Sequence, residues 1–473
     1  MLTSMKHTAA PVALEVPESL LRRLDVPGPR YTSYPTADRF SDRVGSGDYL
    51  KALQQRSVGS RVGGVTPLSV YVHIPFCESV CYYCACNKVV TKHHDRAAEY
   101  IVALKREIEL TVSAMGTRQA VTQVHFGGGT PTFLSDEELT DLMATLRQAF
   151  KIDAAAEISI EVDPRTASKD RLKLLWTIGF NRISFGIQDF DPDVQKAVHR
   201  VQPYESVRDL MLAAREIGFE SINADLIYGL PMQTAESFNR TISQVAGLRP
   251  DRIALYAYAH LPERFMPQRR IEISQLPTGG SRLQMLSAAL SGFVTRGYSY
   301  IGMDHFALPN DPLAVAKRLG RLQRNFQGYS TQPDCDLVAL GVSAIGRLGG
   351  TYVQNAKTLP EYYNALDNGE LPTVRGWLAT RDDVIRRAVI MAIMCQGHVD
   401  FEAIDVAHLI CMKDYFADEL ESLKPFVDEG LVAIDDQSIQ VTPLGWYFVR
   451  GVAMVFDKYL RHMARTATFS KII

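Results

Sequence analysis

Residues 68–86 read LSVYVHIPFCESVCYYCAC. The first seven, alternating β-branched and aromatic side chains with smaller ones, predict a strand, and the following proline ends it. Cys77, Cys81, Cys84 and Cys86 come directly after. Three thiolates at spacings of four and three can wrap one soft metal centre. On a cubane of four irons they leave one iron open to an outside ligand, which suits catalysis better than electron transfer alone. Cys86 is an alternative fourth ligand, but a fully ligated cluster has no open site. Structural zinc gathers two separated ligand pairs. Here there is no distant cysteine pair, and His73, His93 and His94 lack the spacing.

The same rhythm repeats downstream. Further β-rich runs lie at 123–126, 157–162, 181–186, 221–226 and 252–257. Amphipathic stretches separate them, at 96–113, 135–150, 167–178, 193–199 with 204–217, and 235–246. Ser135 followed by Glu138 predicts a capping box. Six strand–helix alternations predict an α/β fold, a parallel sheet with helices outside, open or closed into a barrel, joined by right-handed crossovers.

Outside this core the pattern differs. Residues 26–36 hold three prolines and a glycine and should run extended or turned. The first sixty-odd residues read as irregular, and 59–67 as a glycine-rich linker. After 275 come a helix at 281–296 and short glycine-containing segments to about 352. Helices return at 384–395 and 412–423, then a hairpin at 430–441 and a last helix at 443–459. The expected division is an N-terminal arm and linker (1–67), a barrel with a C-terminal extension (68–365), and a small, mostly helical, winged-helix-like domain (366–473).

The chain has 473 residues, 46% hydrophobic and 22% charged, ordinary for a globular protein. Its net charge of −2 is interspersed and predicts no nucleic-acid partner. No apolar run approaches the roughly 18 residues of a membrane helix. Residues 1–18 lack the compact apolar core of a secretory signal. No membrane partner and a cytoplasmic location are therefore expected. Four of the seven cysteines form one cluster, which reads as metal binding rather than a disulfide framework. Cys335, Cys395 and Cys411 read as buried small side chains.

GGGTPT at 127–132 follows the second strand. Glycine permits positive φ and close backbone approach. The motif is neither a dinucleotide nor a nucleotide-phosphate loop, and alone it reads as a tight turn. The other strand ends carry Glu161 and Asp163, Gln188, Asp225, then Tyr258, Ala259 and His260. In β/α barrels the loops at the carboxyl ends of the strands build the site.

The cysteine spacing, with the glycine run one strand later, resembles the radical S-adenosylmethionine superfamily. That resemblance implies a partial (β/α)6 TIM-like barrel. It implies a [4Fe–4S] cluster on Cys77, Cys81 and Cys84, with S-adenosylmethionine on the open iron as the source of a 5′-deoxyadenosyl radical. YVHIPFCESVCYYCACN (71–87), PGPRYTSYPT (27–36), IGMDHF (301–306), RNFQGY (324–329) and LGVSAIG (340–346) are together similar to the oxygen-independent coproporphyrinogen III oxidases. The likeness spans roughly residues 20–460.

That likeness implies conversion of two propionates of coproporphyrinogen III to vinyl groups, giving protoporphyrinogen IX. It implies two S-adenosylmethionine molecules. Tyr71, Gly128, Glu161 and Ile345 would contact the first. Tyr83, Gly129, Thr130, Gln188, Arg200, Asp225 and Ala259 would contact the second. Asp225 would take ribose hydroxyls or an ammonium, and Arg200 a methionine carboxylate. Gln327 and Ile345 would matter for activity. Arg30 and Tyr31 of the arm would lie near the substrate, Arg30 pairing with a propionate. An electron donor such as flavodoxin or ferredoxin, an unidentified electron acceptor and a monomeric state are implied too. A haem-binding chaperone of the same superfamily is the alternative. Such proteins share the cysteine motif but are shorter and lack the 27–36 arm and the fourth cysteine.

Overall fold

A computed structural model describes residues 16–61, 67–303, 305–326, 328–332 and 334–460. The six expected strands are β1 (Leu68–Ile74), β2 (Ala120–Gly128), β3 (Lys151–Val162), β4 (Arg182–Gln188), β5 (Ser221–Tyr228) and β6 (Arg252–Ala257). Each pairs in parallel with the next. Helices Asp95–Met115, Asp136–Ala149, Lys169–Thr177, Tyr204–Ile217 and Ala235–Leu248 fill the crossovers. The capping box forms: Ser135 Oγ accepts from Glu138 N at 3.1 Å, and Glu138 Oε2 accepts from Ser135 N at 2.8 Å.

Later segments extend the sheet on both sides. These are β7 (Ser299–Gly302), β8 (His305–Ala307), β9 (Asp336–Leu340), β10 (Ile345–Leu348), β11 (Thr351–Asn355) and β12 (Thr373–Leu378). The twelve-stranded order is β12-β11-β10-β9-β1-β2-β3-β4-β5-β6-β8-β7. β9 lies parallel to β1, and the other additions are antiparallel. The end strands β12 and β7 do not pair with each other, so the barrel is partial.

The two faces of the parallel strands differ. On β1, Val70, Val72 and Ile74 are fully buried with the helix residues Tyr100 and Leu104. On its other face Ser69 bonds Gln123, and Tyr71 stacks on His125. That polar inner face positions the site.

Some expectations are corrected. The N-terminal segment is not wholly irregular: helices Glu18–Leu24 and Ser46–Arg61 flank the extended arm. Tyr49, Ala52 and Leu53 bury one face of the second helix. The main sheet continues past residue 365 to Leu378, because β12 pairs with β11. The helical unit therefore starts after Leu378 rather than at 366. There the expected hairpin is joined by a third strand, in the order His398–Asp400, Ser438–Val441, Val432–Ile434. The stretch expected as one last helix breaks into a 3-10 turn, Gly445–Phe448, and the helix Val449–Met454. Cys335 and Cys395 are buried as expected, but Cys411 is exposed. Among the described residues no helix is long and apolar enough to cross a membrane.

Candidate active site

From β1 the chain enters the cysteine loop, which its own backbone pins in place. Thr91 N donates to Cys77 O at 2.9 Å, Tyr82 N to Val198 O at 3.0 Å, and Cys84 N to Cys81 O at 3.2 Å. Cys77, Cys81, Cys84 and Cys86 all line one cavity of about 160 Å³. Among the described residues no three His, Cys, Asp or Glu side chains converge as a single ion requires. A cubane takes one thiolate per iron, whereas mononuclear zinc draws its ligands to one point. Three thiolates on one cavity wall are a donor set that fits a cubane.

The glycine run forms the wall opposite. Gly128 sits at φ +118°, and a Cβ there would lie 2.7 Å from the His73 ring. A Cβ on Gly129 would lie 2.7 Å from the carbonyl oxygens of Phe76 and Pro75. Bare backbone is what lets the end of β2 press against the cysteine loop. Thr130 Oγ1 then reaches Cys77 Sγ at 3.5 Å. Gly128 N donates to Glu161 Oε2 at 3.3 Å.

Charged groups close the rest of the cavity. Buried Arg200 reaches Cys81 Sγ at 3.4 Å, the Asp163 carboxylate at 3.3 Å and Gly186 O at 2.7 Å. Its Nε is buried without a hydrogen-bond partner, and both terminal nitrogens are engaged by these groups. Burial pushes the Asp163 carboxyl up, but Arg200 and Arg165 outweigh it and hold the group below its ordinary range. Asp225 accepts from Ser184 Oγ at 2.6 Å and Asn223 Nδ2 at 2.9 Å. Burial nevertheless raises its carboxyl to about 6.

A second cavity of about 410 Å³ fills the inside of the barrel. Its walls are the inward residues of successive strands: Gln123 and His125, Glu157 and Ser159, Arg182, Asn223, and Arg252. Tyr83, Glu161, Ser184, Gln188 and Asp225 line both cavities. At its edge the Arg30 guanidinium stands over the ring of Tyr256, one of the lining residues, at 5.3 Å.

Comparison with known proteins agrees with this arrangement. A family model of the radical SAM superfamily matches residues 71–245, and one of the HemN C-terminal domain matches residues 379–448. An oxygen-independent coproporphyrinogen III oxidase of Pseudomonas aeruginosa is 49% identical over 96% of this chain and 98% of its own. The chain belongs to the oxygen-independent coproporphyrinogen III oxidases. Their Escherichia coli member is 46% identical over the same shares. The solved structure of coproporphyrinogen III oxidase (HemN) from Escherichia coli, a radical SAM enzyme, has a TM-score of 0.89. It is 45% identical over 94% of this chain and all of that one. As a radical SAM oxidase, this chain works with a [4Fe–4S] cluster and S-adenosylmethionine.

The oxidase brings most of the residues singled out in its sequence to one place. Cys77, Cys81, Cys84, Tyr83, Gly128, Gly129, Thr130, Glu161, Gln188, Arg200 and Asp225 all line the cysteine cavity. Tyr71 lies behind Glu161, its ring on His125 and its hydroxyl 3.0 Å from His73 Nδ1. Ile345 opens β10, and Ala259 follows β6. Neither is on the wall of these two cavities. Gln327 lies outside the described residues. Tyr31 is not at the cavity: it is fully buried, and its hydroxyl donates to Asp457 Oδ2 at 3.0 Å. It ties the arm to the C-terminal segment instead. Arg165, two residues past Asp163, was not singled out, and neither was the polar inner wall. The signal for that wall was a period-two alternation of polar side chains on β2, β3 and β5.

Proposed function

We propose that the two adjoining cavities are where this oxidase converts two propionates of coproporphyrinogen III to vinyl groups. The observation that carries this is their shared wall of Tyr83, Glu161, Ser184, Gln188 and Asp225. A group held beside the cysteines is one layer of side chains from a substrate held inside the barrel.

Cys77, Cys81 and Cys84 would each hold one iron and leave the fourth for S-adenosylmethionine. When bound, these cofactors supply one-electron chemistry that removes a hydrogen atom from the propionate β-carbon, after which carbon dioxide and one electron leave. Gly128 and Gly129 give close backbone approach along the methionine portion, and Thr130 extends that wall. Glu161 accepts an ammonium. The family resemblance supports Arg200 as the partner of the carboxylate of a second S-adenosylmethionine. Gln188 and Asp225 face the ribose. Tyr83, on the wall of both cavities, flanks an adenosyl group, and the family resemblance supports Tyr71, Ala259 and Ile345 as further contacts from outside these walls. Arg30, over Tyr256, meets a substrate propionate at the cavity edge. The reaction takes one electron in and gives one out. A flavodoxin or ferredoxin as donor and a separate acceptor complete that balance. The family resemblance supports a cytoplasmic monomer.

Asp225 gives the test of this assignment. Its carboxylate is the acceptor, so protonation near pH 6 removes the function. Affinity of the cluster-loaded protein for S-adenosylmethionine should fall as pH drops through that value. Asp225→Asn should bind about tenfold or more weakly at neutral pH, as loss of a charged hydrogen bond implies, and should lose the pH dependence. Equilibrium dialysis under anaerobic conditions measures both. Unchanged affinity in the variant would remove Asp225 from the site.

A further inference from the structure

Two guanidiniums stand at the sulfur of Cys81, while Cys84 has the single Lys88 ammonium near it. Arg165 Nη2 lies 3.6 Å from Cys81 Sγ, and Arg200 Nη1 lies 3.4 Å away on its own approach. Cys77 Sγ receives the neutral Thr130 hydroxyl at 3.5 Å.

One carboxylate holds both guanidiniums. Asp163 accepts from Arg165 Nη2 at 2.6 Å and from Arg165 Nε at 3.0 and 3.2 Å. It accepts from Arg200 through both oxygens at 3.3 Å. Arg165 N also donates to Asp163 Oδ1 at 3.0 Å, which locks the turn between them. The side chains of Asp163, Arg200 and Arg165 are only 9%, 8% and 19% accessible. Two cations and one anion leave a net positive charge against the sulfur, in surroundings that screen it poorly.

Hydrogen bonds to ligand sulfurs and local charge set the potential of an iron–sulfur cluster. A guanidinium beside a thiolate stabilises the reduced cluster, which carries one more negative charge than the oxidised one.

We propose that Asp163 and Arg165 are positioning residues that raise the cluster's reduction potential by holding guanidinium N–H groups on Cys81 Sγ. The role goes beyond substrate or S-adenosylmethionine contact: it eases entry of the electron from the donor. It rests on the reading of Cys77, Cys81 and Cys84 as the cluster ligands.

The test is an anaerobic potentiometric titration of the reconstituted cluster, followed by electron paramagnetic resonance, without S-adenosylmethionine. Wild type, Arg165→Met and Arg165→Lys are compared at matched iron and sulfide content. Arg165→Met keeps the bulk and removes every donor. At a fixed poise its ratio of reduced to oxidised cluster should fall about tenfold, a shift of about 59 mV to lower potential for one electron. Arg165→Lys restores a charge and should fall between. If Arg165→Met does not load, Arg165→Gln, which removes the charge and keeps only a neutral amide near the sulfur, should also shift the midpoint downward. A loop that merely needed Arg165 for packing would lose iron without moving the midpoint, and an unmoved midpoint at full iron content overturns the proposal. Wild-type protein that takes up no cluster would instead overturn the ligand reading beneath it.

Discussion

Cys81→Ser should remove both the cluster and the activity. Cys81 is 8% exposed, and its sulfur faces two guanidiniums. A serine hydroxyl at this position is a hard donor that stays protonated, and it cannot replace a thiolate on a soft iron centre. The protein should fold, because the loop is pinned by backbone hydrogen bonds at Cys77, Tyr82 and Cys84 rather than by this side chain. After anaerobic reconstitution it should lose the visible absorbance and most of the iron of the wild type. Turnover should fall more than ~100-fold, since even outer partners of metal ligands matter on a 10–100-fold scale. Cys411→Ser is the control. That thiol is exposed in the C-terminal region, and its loss should change neither iron content nor turnover.

Gly129→Ala should be nearly as damaging, for a steric reason. The added methyl would lie 2.7 Å from two backbone carbonyl oxygens, those of Pro75 and Phe76, which immediately precede Cys77. Backbone cannot rotate aside as a side chain can, so the cysteine loop must move. Overpacking of this kind costs about 1–3 kcal/mol, and a displacement of about 1 Å in a positioned site can lower rate by about 100-fold. A lower unfolding midpoint in urea and a loss of S-adenosylmethionine affinity should appear together. Gly247→Ala supplies the contrast. Gly247 lies in the helix Ala235–Leu248 with nothing within 4 Å of a built Cβ. There alanine should be neutral or stabilise by up to about 1 kcal/mol, the difference in helix propensity. Equal damage at both positions would contradict the close-approach argument.

Much of the barrel is written locally. β1 to β6 lie where β-rich runs alternate with amphipathic stretches, because each strand and its helix form from contiguous residues. The cysteines and glycines also stand together in the chain at the ends of β1 and β2. What is not local was not legible. β9 lies beside β1 although about 270 residues separate them, a number of the order that only tertiary packing can bring together. β12 lies beyond the expected domain boundary for the same reason. The helix Ser46–Arg61 hid behind Gly47 and Gly59, which weaken helix propensity. Its signal was the apolar spacing Tyr49, Ala52, Leu53. Arg165 gave no signal of its own. Its role depends on Asp163 turning it back toward Cys81, and no spacing in one sequence encodes that meeting.

The inner wall was legible in principle. A parallel strand covered on both faces reads as a nearly continuous apolar run. Here Gln123 and His125, Glu157, Ser159 and Glu161, and Ser221, Asn223 and Asp225 interrupt those runs at every second position. The interruption marks a barrel whose interior is a polar chamber rather than a packed core. That chamber is what a tetracarboxylate substrate requires.

Anaerobic turnover of the reconstituted full chain tests the central claim most directly. Coproporphyrinogen III, S-adenosylmethionine and a strong one-electron reductant with an electron acceptor are supplied, and the products are followed by chromatography. Protoporphyrin after oxidation, formed together with 5′-deoxyadenosine and methionine, is the predicted result. Cleavage of S-adenosylmethionine with no protoporphyrin, or stoichiometric uptake of haem in place of turnover, would contradict it.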